Sequence, residues 1–281
     1  MGIDEHEIEG SKYLSTANHY DSGVSNYYFA TAGKSAVGLV RAGNEDSALT
    51  SSAVIAVADG MGGHAAGEVA SRIAIHVLAT NSRVISSKDI DQESADDIFA
   101  SSLTDIDDAL ANAADDNPSL TGMGTTLSAL FLRGNAIALL HVGDSRIYRL
   151  RGNTFEQISR DHTIIQELLD QGSITEADIA THPQRSVLTQ VLMGDGRSQP
   201  SLIIVDVKSD DRYLLCSDGL SGVLSDKEIK AIIKGKARGA AVDALIDAAY
   251  VQGAPDNVTV VLADLLENDI QEPLTVLGAA K

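Results

Sequence analysis

The chain has 281 residues, enough for one large domain with a substantial buried core. Apolar residues make up 44%, which argues against disorder, and with no tryptophan and only 4% aromatics the core must be built from Ala, Val, Ile and Leu. A formal charge of −19, from 40 acidic and 21 basic residues, repels nucleic acid and anionic lipid and attracts cations.

The single cysteine, Cys216, excludes an internal disulfide framework and a thiolate zinc site, and suits a reducing compartment. No run approaches the roughly 20 apolar residues of a membrane span. The N-terminus has no charged-then-apolar secretion pattern. These features predict a cytoplasmic monomer, or the cytosolic part of a membrane-anchored protein, with no nucleic-acid or membrane contact of its own.

Residues 1–33 are rich in Ser, Asn, Gly, Tyr and acids without a sustained period, and predict a flexible tail. Val54–Ala58 is a short apolar strand running into Asp59-Gly60. A helix is predicted over Ala66–Ala79, with Val69, Ile73 and Val77 on one face. A second, acidic on its outer side, follows over Ser94–Ala114. Strands then cluster at Thr125–Leu132, Ala136–Val142, Ser145–Leu150 and Phe155–Ile158, with Gly134-Asn135 and Arg151-Gly152-Asn153 as turns.

Residues 161–192 interrupt this series with two short helical pieces around Gly172 and a His182-Pro183 step. Strands resume at Leu202–Val207 and Arg212–Ser217. Helices follow at Asp226–Lys234 and Gly239–Val251, and a last strand at Asn257–Leu265. Residues 267–281 read as a C-terminal tail or the start of a linker. Consecutive strands joined by short turns argue for antiparallel sheet. The predicted fold is α+β: two antiparallel sheets packed face to face, with helix pairs outside.

Asp59, Asp144, Asp218 and Asp256 each stand beside an apolar strand. Alternation along a strand aims Asp59 with Val57 and Ile55, and Asp218 with Cys216 and Leu214, towards the core side. Any one Asp-Gly pair reads as a turn, and Asp195-Gly196 is taken as only that. Several partly desolvated carboxylates converging need a cation, and oxygen donors suit Mg²⁺ or Mn²⁺. Gly60, without a side chain, lets its carbonyl approach such an ion. Arg41 offers a bidentate fork for phosphate oxygens.

Six motifs lie in order: Arg41-Ala-Gly-Asn-Glu-Asp46, Asp59-Gly-Met-Gly-Gly-His64, Met123-Gly-Thr-Thr126, Gly143-Asp-Ser-Arg146, Cys216-Ser-Asp-Gly-Leu220 and Asp256-Asn-Val-Thr259. In this the chain resembles protein phosphatase 2C-like (PPM-type) metal-dependent serine/threonine phosphatases of the bacterial branch, and is similar to actinobacterial members. The resemblance covers about 33–265. It implies a central β-sandwich flanked by helix pairs, a catalytic domain over 34–266 and a flap over 161–192.

It also implies two to three Mn²⁺ or Mg²⁺ ions. Asp59, Asp218 and Asp256 would hold one, and Asp59 with the Gly60 carbonyl another. Glu45 and Asp46 would act through bound water, with Asn257 beside them. Asp144 and Asp218, with Ser186, would hold a third, and Arg41 would grip phosphate. The implied reaction is direct attack of a metal-bridging hydroxide on phosphoserine or phosphothreonine, opposing serine/threonine kinases. Animal members carry a histidine where this chain has Met61, so His64 or a water is left as the proton donor.

Competing chemistries lack their residues. A cysteine phosphatase needs arginine where Gly222 follows Cys216. A haloacid-type site needs threonine where Ala109 follows Asp105-Ile-Asp107. Gly143-Asp144 lacks the histidines of a dinuclear metallophosphatase. An inactive scaffold is disfavoured by the intact aspartates. A regulatory role on an anti-sigma factor antagonist would share the same chemistry.

Overall fold

The structure is a computed structural model; residues 27–62, 66–86, 91–198, 201–267 and 272–281 are described. β1 (Tyr27–Ala36), β11 (Val258–Glu267), β10 (Arg212–Cys216), β7 (Arg146–Arg151) and β8 (Thr154–Gln157) form one sheet in that spatial order. The second runs β12 (Thr275–Gly278), β2 (Asp46–Thr50), β3 (Val54–Met61), β5 (Leu127–Arg133), β6 (Ala136–Val142) and β9 (Ser201–Asp206). The short β4 (Gly124–Thr125) pairs with the end of β3. Every pairing is antiparallel.

The layers follow from the period-two alternation. Ile55, Val57, Leu130, Leu139, Tyr213, Leu215 and Val261 fill the space between the sheets. Val54, Ala56 and Ala58 face the other way, onto α1 (Ala66–Ile85) and α2 (Gln92–Asp116). Leu214, Val260 and Leu262 face α5 (Asp226–Ile233) and α6 (Arg238–Val251). The predicted α+β sandwich between helix pairs is what forms. With so few aromatics, Phe29 and Tyr213, two strands apart on the inner face of the first sheet, supply one edge-to-face pair in the core, at 6.1 Å.

Both predicted tails need correction. Residues 27–33 belong to β1, which pairs along its whole length with β11. Residues 275–278 form β12, which pairs with β2, so the strand after Asp256 is not the last. Neither segment shows a clean alternation, and each becomes a strand because a sheet edge offers it hydrogen bonds. The part of the predicted tail over 1–26 lies outside the described residues.

In α1 the predicted stripe of Val69, Ile73 and Val77 packs only partly; the fully buried stripe is Ala66, Ala70, Ala74 and Leu78. At its first turns the helix lies closest to β3, and small residues face the sheet there, with Ile75 and Leu78 further along. A Cβ on Gly67 would sit 2.8 Å from the Gly60 carbonyl oxygen. Residues 161–192 do form an excursion, with α3 (Ile164–Asp170) and a 3₁₀ turn at Glu176–Thr181. Its neck is closed by Ile164 N–H to Val187 O (3.0 Å) and Thr189 N–H to His162 O (2.9 Å).

Strand β10, which leads to Asp218, is tied down by the buried Asp211. Its carboxylate takes two 2.7 Å bonds from Arg151 and one from Tyr213 OH at 3.1 Å. Asp211→Ala is expected to cost about 2 kcal/mol, because it removes the acceptor of the Tyr213 hydroxyl and two contacts of Arg151, which keeps only Asp206 (2.8 Å); urea denaturation measures it, and a change within experimental error would refute this role.

Candidate metal centre

One cleft collects most of the expected residues. It has a volume of about 310 Å³ and is lined by Arg41, Glu45, Asp59, Gly60, Thr126, Asp144, Ser186, Asp218 and Asp256, among others. Met61, at the position where animal members of the family carry a histidine, lines it too. His64 lies outside the described residues.

The sandwich sets two of the acids face to face. In the β2–β3 register Asp46 is directly opposite Asp59, both on the inner face shared with Ala48 and Val57. Like charges in direct opposition repel. Asp59 is therefore not at the strand end, as expected, but inside β3, which continues to Met61.

Asp218 arrives differently from the expectation. Leu214 and Cys216 face the helical layer, not the cleft. β10 stops at Cys216, Ser217 caps the short α4 (Asp218–Ser221), and this turn brings Asp218 back to the cleft. Strand alternation could not see the turn. Ser217 itself faces inward, and its hydroxyl donates to Asp46 Oδ2 at 2.7 Å. Asp144 follows β6, and Asp256 lies in the turn between α6 and β11.

Asn257 staples the arginine loop. Its Nδ2 donates to the carbonyls of Val37 and Gly43, both at 2.8 Å, and its Oδ1 accepts from Glu45 N–H at 2.8 Å. Arg41 is held over the acids by Asp256 Oδ2 (2.6 Å) and lies 3.8 Å from Glu45 Oε2. A Cβ on Gly60 would fall 2.0 Å from the Gly67 carbonyl oxygen and 2.7 Å from that of Glu45. Close packing of β3 between α1 and the arginine loop is therefore a second reason for glycine there.

The carboxylates are held in an environment that opposes their charge. Burial, then Asp218 and Asp256, push Asp46 up, against the Ser217 bond. Asp59 is raised well above the usual range by burial first, then by Asp46, Asp218, Asp144 and Asp256. Asp218 is raised by burial and Asp256, and Asp144 goes up to about 7 through burial, Asp218 and Asp161. Glu45 is raised by burial, with Arg41 opposing. Among the lining residues, Arg41 is the one cation.

The donor set fits hard divalent cations: clustered carboxylates, a backbone carbonyl that can be approached, and no thiolate. Asp46 Oδ1 is the one buried side-chain oxygen among the described residues without a hydrogen-bond partner, which a bound ion or its water would satisfy. Among the described residues, no three His, Cys, Asp or Glu side chains are already gathered closely enough to hold an ion together.

Sequence reading missed the support behind the cleft. Thr126 Oγ1 takes the Asp59 N–H at 3.0 Å and is paired with Ser145 Oγ at 2.8 Å. His162, at the root of the excursion, takes the Gly143 N–H on Nδ1 (3.1 Å) and returns its own N–H to Gly143 O (2.8 Å), fixing the turn that carries Asp144. His141 is buried between Ser128 Oγ (2.9 Å) and Arg160 O (3.0 Å), and burial pushes its pKa down to about 4. No spacing rule marks these contacts, because they join separate strands.

Residues 43–267 match the family model described as protein phosphatase 2C. The chain belongs to the protein phosphatase 2C family. Its domain is that of a serine/threonine protein phosphatase. It is 41% identical over 252 residues to the serine/threonine protein phosphatase PstP of Mycobacterium tuberculosis, an alignment covering 89% of this chain and 47% of that protein. The chain thus spans about half the length of that relative. It is 32% identical to the serine/threonine phosphatase stp of Listeria welshimeri, over 81% of this chain and 92% of that protein. The crystal structure of the PstP catalytic domain in complex with two manganese ions superposes with a TM-score of 0.76 at 39% identity, over 86% of this chain and all of that one.

The opposed aspartates give a stability test. At a pH alkaline enough to charge both groups, Asp59→Asn removes the charge facing Asp46 and keeps the shape, so in chelator it should stabilise the protein by up to about 1 kcal/mol, a gain that fades as the pH falls and the raised carboxylates protonate. It should also lose the rise in Tm that Mn²⁺ gives the parent. A lower Tm in chelator would show that the repulsion is not there.

Proposed function

We propose that this chain hydrolyses phosphoserine and phosphothreonine monoesters on other proteins, using two to three Mn²⁺ or Mg²⁺ ions held in the carboxylate cleft. The observation that carries this is the Asp46–Asp59 opposition in a cleft whose lining holds five carboxylates against one arginine. Manganese in the PstP catalytic domain supports the choice of metal. When bound, the ions would lower the pKa of a shared water towards neutrality and neutralise phosphate oxygens.

In this reading Asp59, Asp218 and Asp256 hold the first ion, and Asp59 with the Gly60 carbonyl the second. Glu45 and Asp46 orient bound water, and Asn257 keeps their loop in place. Asp144 and Asp218, with the exposed Ser186, make a weaker third site, because a hydroxyl is a poor ligand. His64 stays a candidate proton donor on its place in the motif.

Arg41 has the central part in substrate binding. Its pair with Asp256 is half exposed, and such pairs contribute little. A phosphate offers it a bidentate, charge-assisted contact instead. When Arg41 turns to phosphate it releases Asp256 to an ion, so substrate and metal binding assist each other.

The catalytic unit in this proposal is the expected 34–266, enlarged by β1 from Tyr27 and by β12, with 161–192 as its flap. The substrates and partners of the whole protein are part of the same proposal: phosphorylated proteins, including those of serine/threonine kinases, met in the cytoplasm by a monomer. Among the described residues no helix is long and apolar enough to cross a membrane.

Phosphate release from a phosphothreonine peptide should stop in chelator and return with Mn²⁺; full release by metal-stripped protein would sink the reading. Arg41→Ala should lower kcat/KM by roughly 10- to 100-fold, the worth of a charged hydrogen bond. Its Mn²⁺ affinity should hold or rise, because Asp256 is freed. Unchanged kinetics would leave Arg41 a surface residue.

A further inference from the structure

We propose that Gly278 and Ala279, at the end of β12, are positioning residues that set the Asp46 backbone for ion binding. This rests on the reading of Asp46 as part of the metal centre. Strand β12 lies beyond the residues 43–267 that match the family model.

The contacts are direct. β12 pairs with β2 so that Gly278 stands across from Ser47, and the Ala279 N–H donates to the Asp46 carbonyl at 2.8 Å. Gly278 has φ +69°, and a Cβ there would fall 2.1 Å from that carbonyl oxygen and 2.8 Å from Ser35 Oγ. Only glycine fits such a backbone against so close a neighbour.

Ser35 extends the contact to the arginine motif. Its hydroxyl takes Asn44 Nδ2 at 2.7 Å and meets Thr259 Oγ1 at 2.7 Å. Asn44 Oδ1 in turn accepts the Asp46 N–H at 3.2 Å. The turn at Gly278 therefore meets the carbonyl of Asp46 and lies against Ser35, which holds the Asn44 side chain that anchors the Asp46 amide.

The strand is well enough fixed to act as a stop. Leu277 packs between the sheets, while Leu274, Val276 and the buried Ala280 pack on the α1 side. His76 Nε2 of α1 lies 3.1 Å from Ala280 O. Glu272 accepts from Thr31 N–H (3.0 Å) and Thr31 Oγ1 (2.6 Å). Without β12, β2 would be an edge strand of five residues, free to fray. Repulsion from Asp59 pushes β2 away from β3, and β12 stands on the side towards which it would move. One Asp46 oxygen is fixed by Ser217, and the other has no protein partner. Where that second oxygen points is set by the backbone that β12 holds.

The test is Mn²⁺ binding by calorimetry on Gly278→Ala, with Leu274→Ala as control, since it thins the packing of the same segment without touching Asp46. Gly278→Ala should bind Mn²⁺ roughly tenfold more weakly, as loss of an outer support does, and need correspondingly more Mn²⁺ for half-maximal turnover. Leu274→Ala should lower Tm and keep the parent's affinity. Folded Gly278→Ala with the parent's affinity would overturn the proposal. The unsubstituted protein gives a second measurement, needed if Gly278→Ala does not fold. Because coupling is reciprocal, Mn²⁺ should slow exchange of the Ala279 amide, and an amide that exchanges alike with and without Mn²⁺ would also overturn it. A parent protein that binds no Mn²⁺ at all would instead sink the reading of the cleft itself.

Discussion

Asp46 and Asp59 face each other across two hydrogen-bonded strands, and neither can move away without breaking the ladder that the core depends on. Burial removes the water that would screen them, and Asp144, Asp218 and Asp256 add to the same field. The ordinary remedy for such opposition is protonation, and the raised carboxylates register that tendency. A divalent cation is the stronger remedy, because it answers several charges at once. The fold thus holds a charge conflict that its own side chains, Arg41 apart, do not resolve.

The rest of the architecture keeps that conflict in place. The apolar contacts between the sheets fix β2 and β3, and the start of α1 packs so closely on β3 that Ala66, Gly67 and Ala70 line its buried face there. The Ser217 hydroxyl, at the end of β10 in the first sheet, donates across to Asp46 of β2 in the second, and Asn257 spans to the arginine loop. The cleft lies where connecting segments meet the end of β3: the β1–β2 loop brings Arg41 and Glu45, β3 itself Asp59, and three further connections bring Asp144, Asp218 and Asp256. Removing the ion-binding chemistry would leave a sandwich with a good core and a poorly satisfied rim.

The excursion at 161–192 is joined to this frame at its root. His162 clamps the Gly143 turn on one side, and Leu192 bridges to Thr125 on the other. The Asp195-Gly196 turn just beyond is more than the surface feature it resembles in sequence. Asp107 of α2 accepts the amides of Gly194 (2.7 Å) and Gly196 (2.5 Å). A short acidic pair in a helix and a glycine turn almost ninety positions away prove to be one contact.

The sequence by itself determined the element types, the antiparallel class and the acids of the cleft. These depend on local signals: apolar alternation, turn residues, and Asp-Gly steps beside strands such as Val54–Ala58. Six motifs in order then pointed to the family. Tertiary structure decided the remainder. Residues 27–33 and 275–278 became strands because sheet edges offered them partners, which no local pattern announces. Asp218 was turned into the cleft by α4 after strand alternation had aimed it elsewhere. The pairing of Asp46 with Asp59 is a matter of register, fixed by packing on both faces of β2 and β3. A chain read one residue at a time carries its donors and charges, but their opposition exists only once distant segments share a sheet.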